Sequence, residues 1–152
     1  MSTLLDELSQ LVSALEDSDI EYAVCGGLAL TILGFPRATF DIDILIRTES
    51  LDNSFSVAKE FGFDIHGMDM SFKERAVEIR RVSKIDDEGE VLSLDYLLVT
   101  PQVEDVWNDR ITVDWDGMAM SIVSRSGLIR MKELAGRPKD LIDIDRMKNE
   151  ES

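Results

Sequence analysis

The sequence is short of cysteine, of histidine and of basic charge, and each shortage removes a class of protein. Cys25 is the one cysteine in 152 residues, so an internal disulfide is excluded and no zinc-type Cys/His spacing can be assembled around it. His66 is the one histidine. It lies in a poorly patterned stretch and reads as a surface or satisfied polar residue, not as a general base. Lys and Arg number 16 against 31 Asp and Glu, a net charge of −15, which disfavours an extensive nucleic-acid surface built on phosphate contacts. No hydrophobic run reaches membrane-spanning length, and Met1-Ser2-Thr3-Leu4-Leu5-Asp6-Glu7 carries acid where a signal peptide needs base. These absences predict a cytoplasmic protein with no membrane association.

What remains is ordinary for a globular chain, with 44% apolar and 31% charged residues. The length suits a single domain over residues 1–152, able to fold without disulfide or structural metal. There is no internal repeat, linker or low-complexity segment. One local reversal of charge stands out: Arg125, Arg130, Lys132, Arg137 and Lys139 lie together against Glu133 alone. Such an island is either a solvated helix with charges matched to its dipole or a place for an anion.

Leu4, Leu8, Leu11, Val12 and Leu15 recur at helical spacing behind Ser2 or Thr3 as cap. Tyr22 to Cys25 reads as a buried strand running into a tight turn at Gly26-Gly27, followed by a helix over 28–33 closed by Gly34. Phe40 to Ile46 alternates with period two and is a second strand; Ser54 to Phe61 reads as a helix, and the pattern fails over 64–70. Val77 to Ile85 and Val91 to Val99 form an antiparallel hairpin about Asp86-Asp87-Glu88-Gly89. A short helix to Trp107, a hairpin about Asp116-Gly117 and two helices, 126–134 and 139–147, complete the chain. The expected fold class is mixed α/β (α+β), a largely antiparallel sheet flanked by helices.

Asp41 and Asp43 occupy alternate positions of one strand, so both carboxylates leave the same face while Ile42 and Ile44 point into packing. Like charges that close raise one another's pKa, an arrangement a divalent cation resolves. Asp95 lies in the apolar strand Leu92-Ser93-Leu94-Asp95-Tyr96-Leu97-Leu98, where an unpaired charge is costly unless it faces a site. If that strand neighbours the Asp41 strand, three acids converge beside a glycine turn whose backbone N–H groups can approach phosphate oxygens.

Gly26-Gly27, the turn Gly34-Phe35-Pro36-Arg37-Ala38-Thr39, Asp41-Ile42-Asp43 and Leu94-Asp95-Tyr96 together resemble the nucleotidyltransferase superfamily of the DNA polymerase beta type, in particular its minimal bacterial and archaeal members. Met131 to Asp143 is similar to the C-terminal block of the AbiEii-type abortive-infection toxin group. The resemblance implies a nucleotidyltransferase fold and transfer of a nucleoside monophosphate from a nucleoside triphosphate (NTP) to an acceptor hydroxyl on a small molecule, protein or RNA end. It implies that Asp41, Asp43 and Asp95 hold two Mg2+ ions, with Mn2+ as a substitute, and that Asp95 helps deprotonate the acceptor. It further implies that Gly26 and Gly27 cradle the triphosphate, that Lys132 and Asp140 face the nucleotide, and that Arg37 and Thr39 contact phosphate or stabilise the turn. Two departures qualify it. The family often has serine at the second glycine, where Gly27 offers only backbone, and little chain follows the core to form a helical substrate domain. An alternative is therefore a non-catalytic nucleotide-binding or antitoxin-like module that works through a protein partner, one that would supply or block the acceptor site.

Overall fold

In a computed structural model the described residues are 3–36, 38–72 and 75–149. Helix α1 (Leu4–Asp17) starts at a capping box in which the Thr3 hydroxyl accepts from the Asp6 N–H and the Asp6 carboxylate accepts from the Thr3 N–H. Its stripe of Leu8, Leu11, Val12 and Leu15 is wholly buried. Strand β1 (Ala23–Cys25) runs straight into α2 (Gly26–Ile32), so the helix begins on the glycine pair and not after it. Strand β2 (Asp41–Ile46) begins one residue later than the sequence pattern predicts, and leaves Phe40 81% exposed. Helix α3 (Leu51–Glu60) begins three residues before the expected start, after a 3-10 turn at Thr48–Ser50.

The stretch that periodicity could not place, 64–70, contains one short strand, β3 (Ile65–His66), and the first residue of another, β4 (Met70–Phe72). Both pair antiparallel with β5 (Val77–Ile85), β3 at Val82 and Ser83, β4 at Val77 to Ile79. Strand β6 (Val91–Leu98) forms the expected hairpin with β5. A 3-10 turn at Pro101–Val103 leads into α4 (Glu104–Asn108), and β7 (Ile111–Trp115) and β8 (Met118–Ile122) make the second hairpin. Helices α5 (Arg125–Ala135) and α6 (Pro138–Asn149) close the described chain. The strands form one sheet in the order β3-β5-β6-β2-β1-β8-β7, with β4 also on β5. Pairing is antiparallel except for β2 with β6 and β1 with β8.

The two faces of the sheet are fixed by alternation. Ile42, Ile44, Leu94 and Tyr96 point to one face and are fully buried there. The Tyr96 hydroxyl donates to the Ser54 carbonyl of α3 at 2.8 Å, and the Lys84 ammonium reaches Glu7 of α1 at 3.0 Å, so this face carries α1 and α3. Everything interleaved with those residues, including Asp41, Asp43 and Asp95, points the other way. Among the described residues no helix is long and apolar enough to cross a membrane.

Candidate active site

The parallel pairing of β2 with β6 sets Asp43 opposite Asp95 and Asp41 opposite Ser93. Strand neighbours lie about 4.8 Å apart and paired residues share a face, so the three acids foreseen in the sequence stand on one side of the sheet. On β1, Cys25 pairs with Asp43 and shares that side, fully buried. Burial, then the charge of Asp43, pushes the Cys25 thiol well above its ordinary value, so the residue is a small apolar packing group.

The glycine pair has a packing reason that the sequence did not reveal. Gly26 has φ +67°, and a Cβ there would lie 2.0 Å from Oδ2 of Asp43. A Cβ on Gly27 would lie 2.7 Å from Cβ and Oγ1 of Thr39. Backbone and acid can be this close only with no side chain on the turn. Thr39 in turn donates from its hydroxyl to the Asp41 carbonyl at 3.3 Å, which ties the turn to the first acid. Arg37, the other turn residue expected at the site, lies outside the described residues.

Crowding shows in the electrostatics. Burial, followed by the charges of Asp95 and Asp41, raises the Asp43 carboxyl from its ordinary 3.8 to about 7, against the pull of Lys132 and Arg81. The chemistry of the donor set fits a hard divalent cation: carboxylate oxygens from adjacent strand positions, with more negative charge than the fold neutralises. Among the described residues, however, no three His, Cys, Asp or Glu side chains form a ready ligand cluster. Asp95 faces a cation of the protein's own. Arg81 faces Asp95 across the β5–β6 pair, with Nε donating to Oδ1 at 2.7 Å and Nη2 to Oδ2 at 2.9 Å. The same Nη2 lies 3.6 Å from Oδ2 of Asp41. Sequence reasoning did not single Arg81 out.

Lys132 reaches this side of the sheet from α5. The helix starts at Ser124, whose hydroxyl accepts from the Gly127 N–H at 3.1 Å, directly after β8. It lays Leu128, Met131, Lys132 and Ala135 along the cavity. The ammonium of Lys132 is 3.0 Å from Asp143 and 3.6 Å from Asp140, both buried carboxylates of α6. Arg137 also pairs with Asp140, Nε to Oδ2 at 2.7 Å. Burial alone would raise the Asp140 carboxyl, but the Arg137 hydrogen bonds and charge, helped by Lys132, hold it below the usual range. Much of the basic island is thus internally offset, since Arg125 bonds the Met147 carbonyl and packs on the Phe35 ring. Asp143, which completes the lysine's surroundings, was not singled out in the sequence either.

These groups line one cavity of about 630 Å³. Asp41, Asp43, Asp95 and Arg81 form its polar end, and Lys132, Arg137, Lys139 and Asp140 one wall. Leu45, Ile79 and Leu97 continue the same sheet face as an apolar floor, beside Met70 and Phe72 of β4. His66 lies away from this cavity, edge-on to Phe55 at 4.7 Å.

This arrangement of sheet and helices is the nucleotidyltransferase fold. No family model matches the sequence, and no curated protein matches it. Solved structures do. TM1012 of Thermotoga maritima, a protein classed with the nucleotidyltransferases, superposes with a TM-score of 0.63 at 16% identity, over 97% of this chain and 93% of that one. ANT(2")-Ia, solved with adenylyl-2"-tobramycin, gives a TM-score of 0.67 at 14% identity, over 96% and 87% of the two chains. The lincosamide antibiotic adenylyltransferase LnuA, solved with lincomycin, gives 0.61 at 14% identity, over 98% and 99%. At these identities the likeness is one of fold.

Proposed function

We propose that the protein is a nucleotidyltransferase that moves a nucleoside monophosphate from an NTP to an acceptor hydroxyl. The observation that carries this reading is the β2–β6 register, which aligns Asp43 with Asp95 beside a turn that admits only glycine. Asp41 and Asp43 would hold divalent metal, Mg2+ or Mn2+, with Asp95 joining them for a second ion. When bound, such ions would offset charge on the attacking and leaving oxygens. Gly26 and Gly27 present backbone to the phosphates, and Lys132 sits where its charge already reaches Asp43. The acceptor oxygen attacks the α-phosphorus, the bond from that phosphorus to the bridging oxygen of the β-phosphate breaks, and pyrophosphate leaves. The acceptor's proton passes to the Asp95 carboxylate. The apolar floor receives the nucleobase or the body of the acceptor. Apart from the three acids, Asp140 lines the cavity and is paired with Arg137, which argues against a polycationic acceptor.

The test is transfer from each of the four α-labelled NTPs, with Mg2+ or Mn2+, into the protein itself, extract RNA, extract protein and extract small molecules. Label should move with one or more NTPs and be lost in Asp41→Asn/Asp43→Asn. Absence of transfer with persistent metal-dependent NTP binding overturns the enzyme reading. The second reading, a non-catalytic nucleotide-binding module acting through a partner in a toxin-antitoxin setting, is favoured by one observation: Arg81 holds both oxygens of the acid that should take the proton.

A further inference from the structure

Arg81 occupies Asp95 in the geometry that matters most for a carboxylate. Two parallel N–H bonds, at 2.7 and 2.9 Å, use one outward-facing lone pair on each oxygen. The Asp95 side chain is only 7% exposed, so little of it is left for another cation. The guanidinium is different: its side chain is 37% exposed and lines the open cavity, so it has room to swing away. Asp41 feels Arg81 only as an ion pair at 3.6 Å, and none of the arginine's hydrogen bonds goes to Asp43. The three acids are therefore unequal. Asp41 and Asp43 are left without an arginine hydrogen bond, and the third acid is closed by a built-in cation.

We propose that Arg81 is the resident counter-cation of Asp95, one that a divalent ion must displace before the third carboxylate can act as a ligand or proton acceptor. This rests on the reading of Asp41, Asp43 and Asp95 as metal-binding acids, and it adds an order to their use. The first ion lands on Asp41 and Asp43. Its two positive charges, brought up beside a guanidinium that already faces Asp41, weaken the arginine's hold on Asp95 by repulsion across the shared carboxylates. Only then is Asp95 released. Arg81 is thus a positioning residue that sets the divalent-ion concentration at which the site completes itself, and it works by competition.

The experiment is a Mn2+ titration without nucleotide, by calorimetry or by the EPR signal of free Mn2+, on the whole chain and on Arg81→Gln and Arg81→Lys. Melting temperatures are read in parallel in chelator and in saturating Mn2+. Arg81→Gln should bind Mn2+ roughly tenfold or more tightly than the parent, since a hydrogen-bonded charge pair no longer has to be broken. Arg81→Lys, which keeps the charge but not the fork, should fall between them. In chelator Arg81→Gln should melt below the parent, and Mn2+ should narrow or reverse that gap. Equal Mn2+ affinity in parent and variants, or a melting difference that Mn2+ leaves unchanged, makes Arg81 a structural ion pair and ends the proposal. Should Arg81→Gln not fold, the lysine variant decides the question alone: affinity no greater than the parent's refutes it. Failure of every form to bind Mn2+ removes the metal reading itself, a result distinct from equal binding by all.

Discussion

Replacing Asp43 with Asn should stabilise the protein while disabling the site. The carboxyl is raised from 3.8 to about 7 by burial and by the neighbouring Asp95 and Asp41. A raised acid binds its proton more tightly in the folded than in the unfolded chain. Its contribution to stability is full below about pH 4 and is lost as pH climbs through about 7. Carried across that whole window, the loss amounts to at most roughly 4 kcal/mol. An isosteric amide cannot ionise and avoids it.

Urea denaturation in chelator at pH 4.5 and at pH 8 measures the effect, and the difference between variant and parent cancels the titrating groups that do not interact with Asp43. Asp43→Asn should gain little at pH 4.5 and about 2–4 kcal/mol at pH 8. With saturating Mg2+ or Mn2+ the order should reverse, since only the parent keeps the ligand. Metal affinity of the parent should also fall by about tenfold per pH unit below 7, because the ion must displace the Asp43 proton. A variant no more stable than its parent at pH 8, or a gain that is the same at both pH values, refutes the claim that this acid is held against its preference.

Three further outcomes are expected. Gly26→Ala, which forces a Cβ to 2.0 Å from Asp43 Oδ2 at a φ of +67°, should cost about 1–3 kcal/mol or more in thermal or urea unfolding. It should also weaken Mn2+ binding by displacing the acid. Lys132→Met leaves Asp140 and Asp143 without their shared lysine and should cost about 3–5 kcal/mol; adding Asp143→Asn to it should recover part of that loss, read by a double-mutant cycle. Asp95→Asn should lower nucleotidyl transfer by about 100-fold or more, measured at saturating NTP, with NTP affinity little changed.

The faces of β2 and β6 were legible because each strand puts an apolar stripe against a charged one. Ile42 and Ile44 against Asp41 and Asp43, and Leu94 and Tyr96 against Asp95, fix orientation without coordinates. The contact between these strands was not legible. They are parallel neighbours separated by β3, β4 and β5, and nothing in either strand specifies a partner that far along the chain. The two strands within 64–72 escaped for a simpler reason: each is three residues or fewer, too short for a period to show.

Arg81 was hidden by its own strand. In β5 one face carries Glu78, Arg80, Val82 and Lys84, and the other Ile79, Arg81, Ser83 and Ile85, so neither stripe reads as core. Glu78, Arg80 and Lys84 on the helix side are accommodated by partners: Ser71 bonds Glu78, Arg80 pairs with Asp69 and Glu78, and Lys84 with Glu7. With no hydrophobic signal, register falls to the hairpin loop. The sequence places a turn about Asp86-Asp87-Glu88-Gly89 but does not specify which residues of the two strands face each other. The loop closes between Asp86 and Glu90, whose backbones bond at 2.8 Å, with Gly89 at φ +81° and the Asp86 carboxylate accepting from the Glu88 and Glu90 N–H groups. That three-residue geometry sets the pairing that turns Arg81 onto Asp95. The loop therefore sets which residue of β5 faces the third acid, so whatever chemistry Asp95 performs depends on a turn at the opposite end of the hairpin.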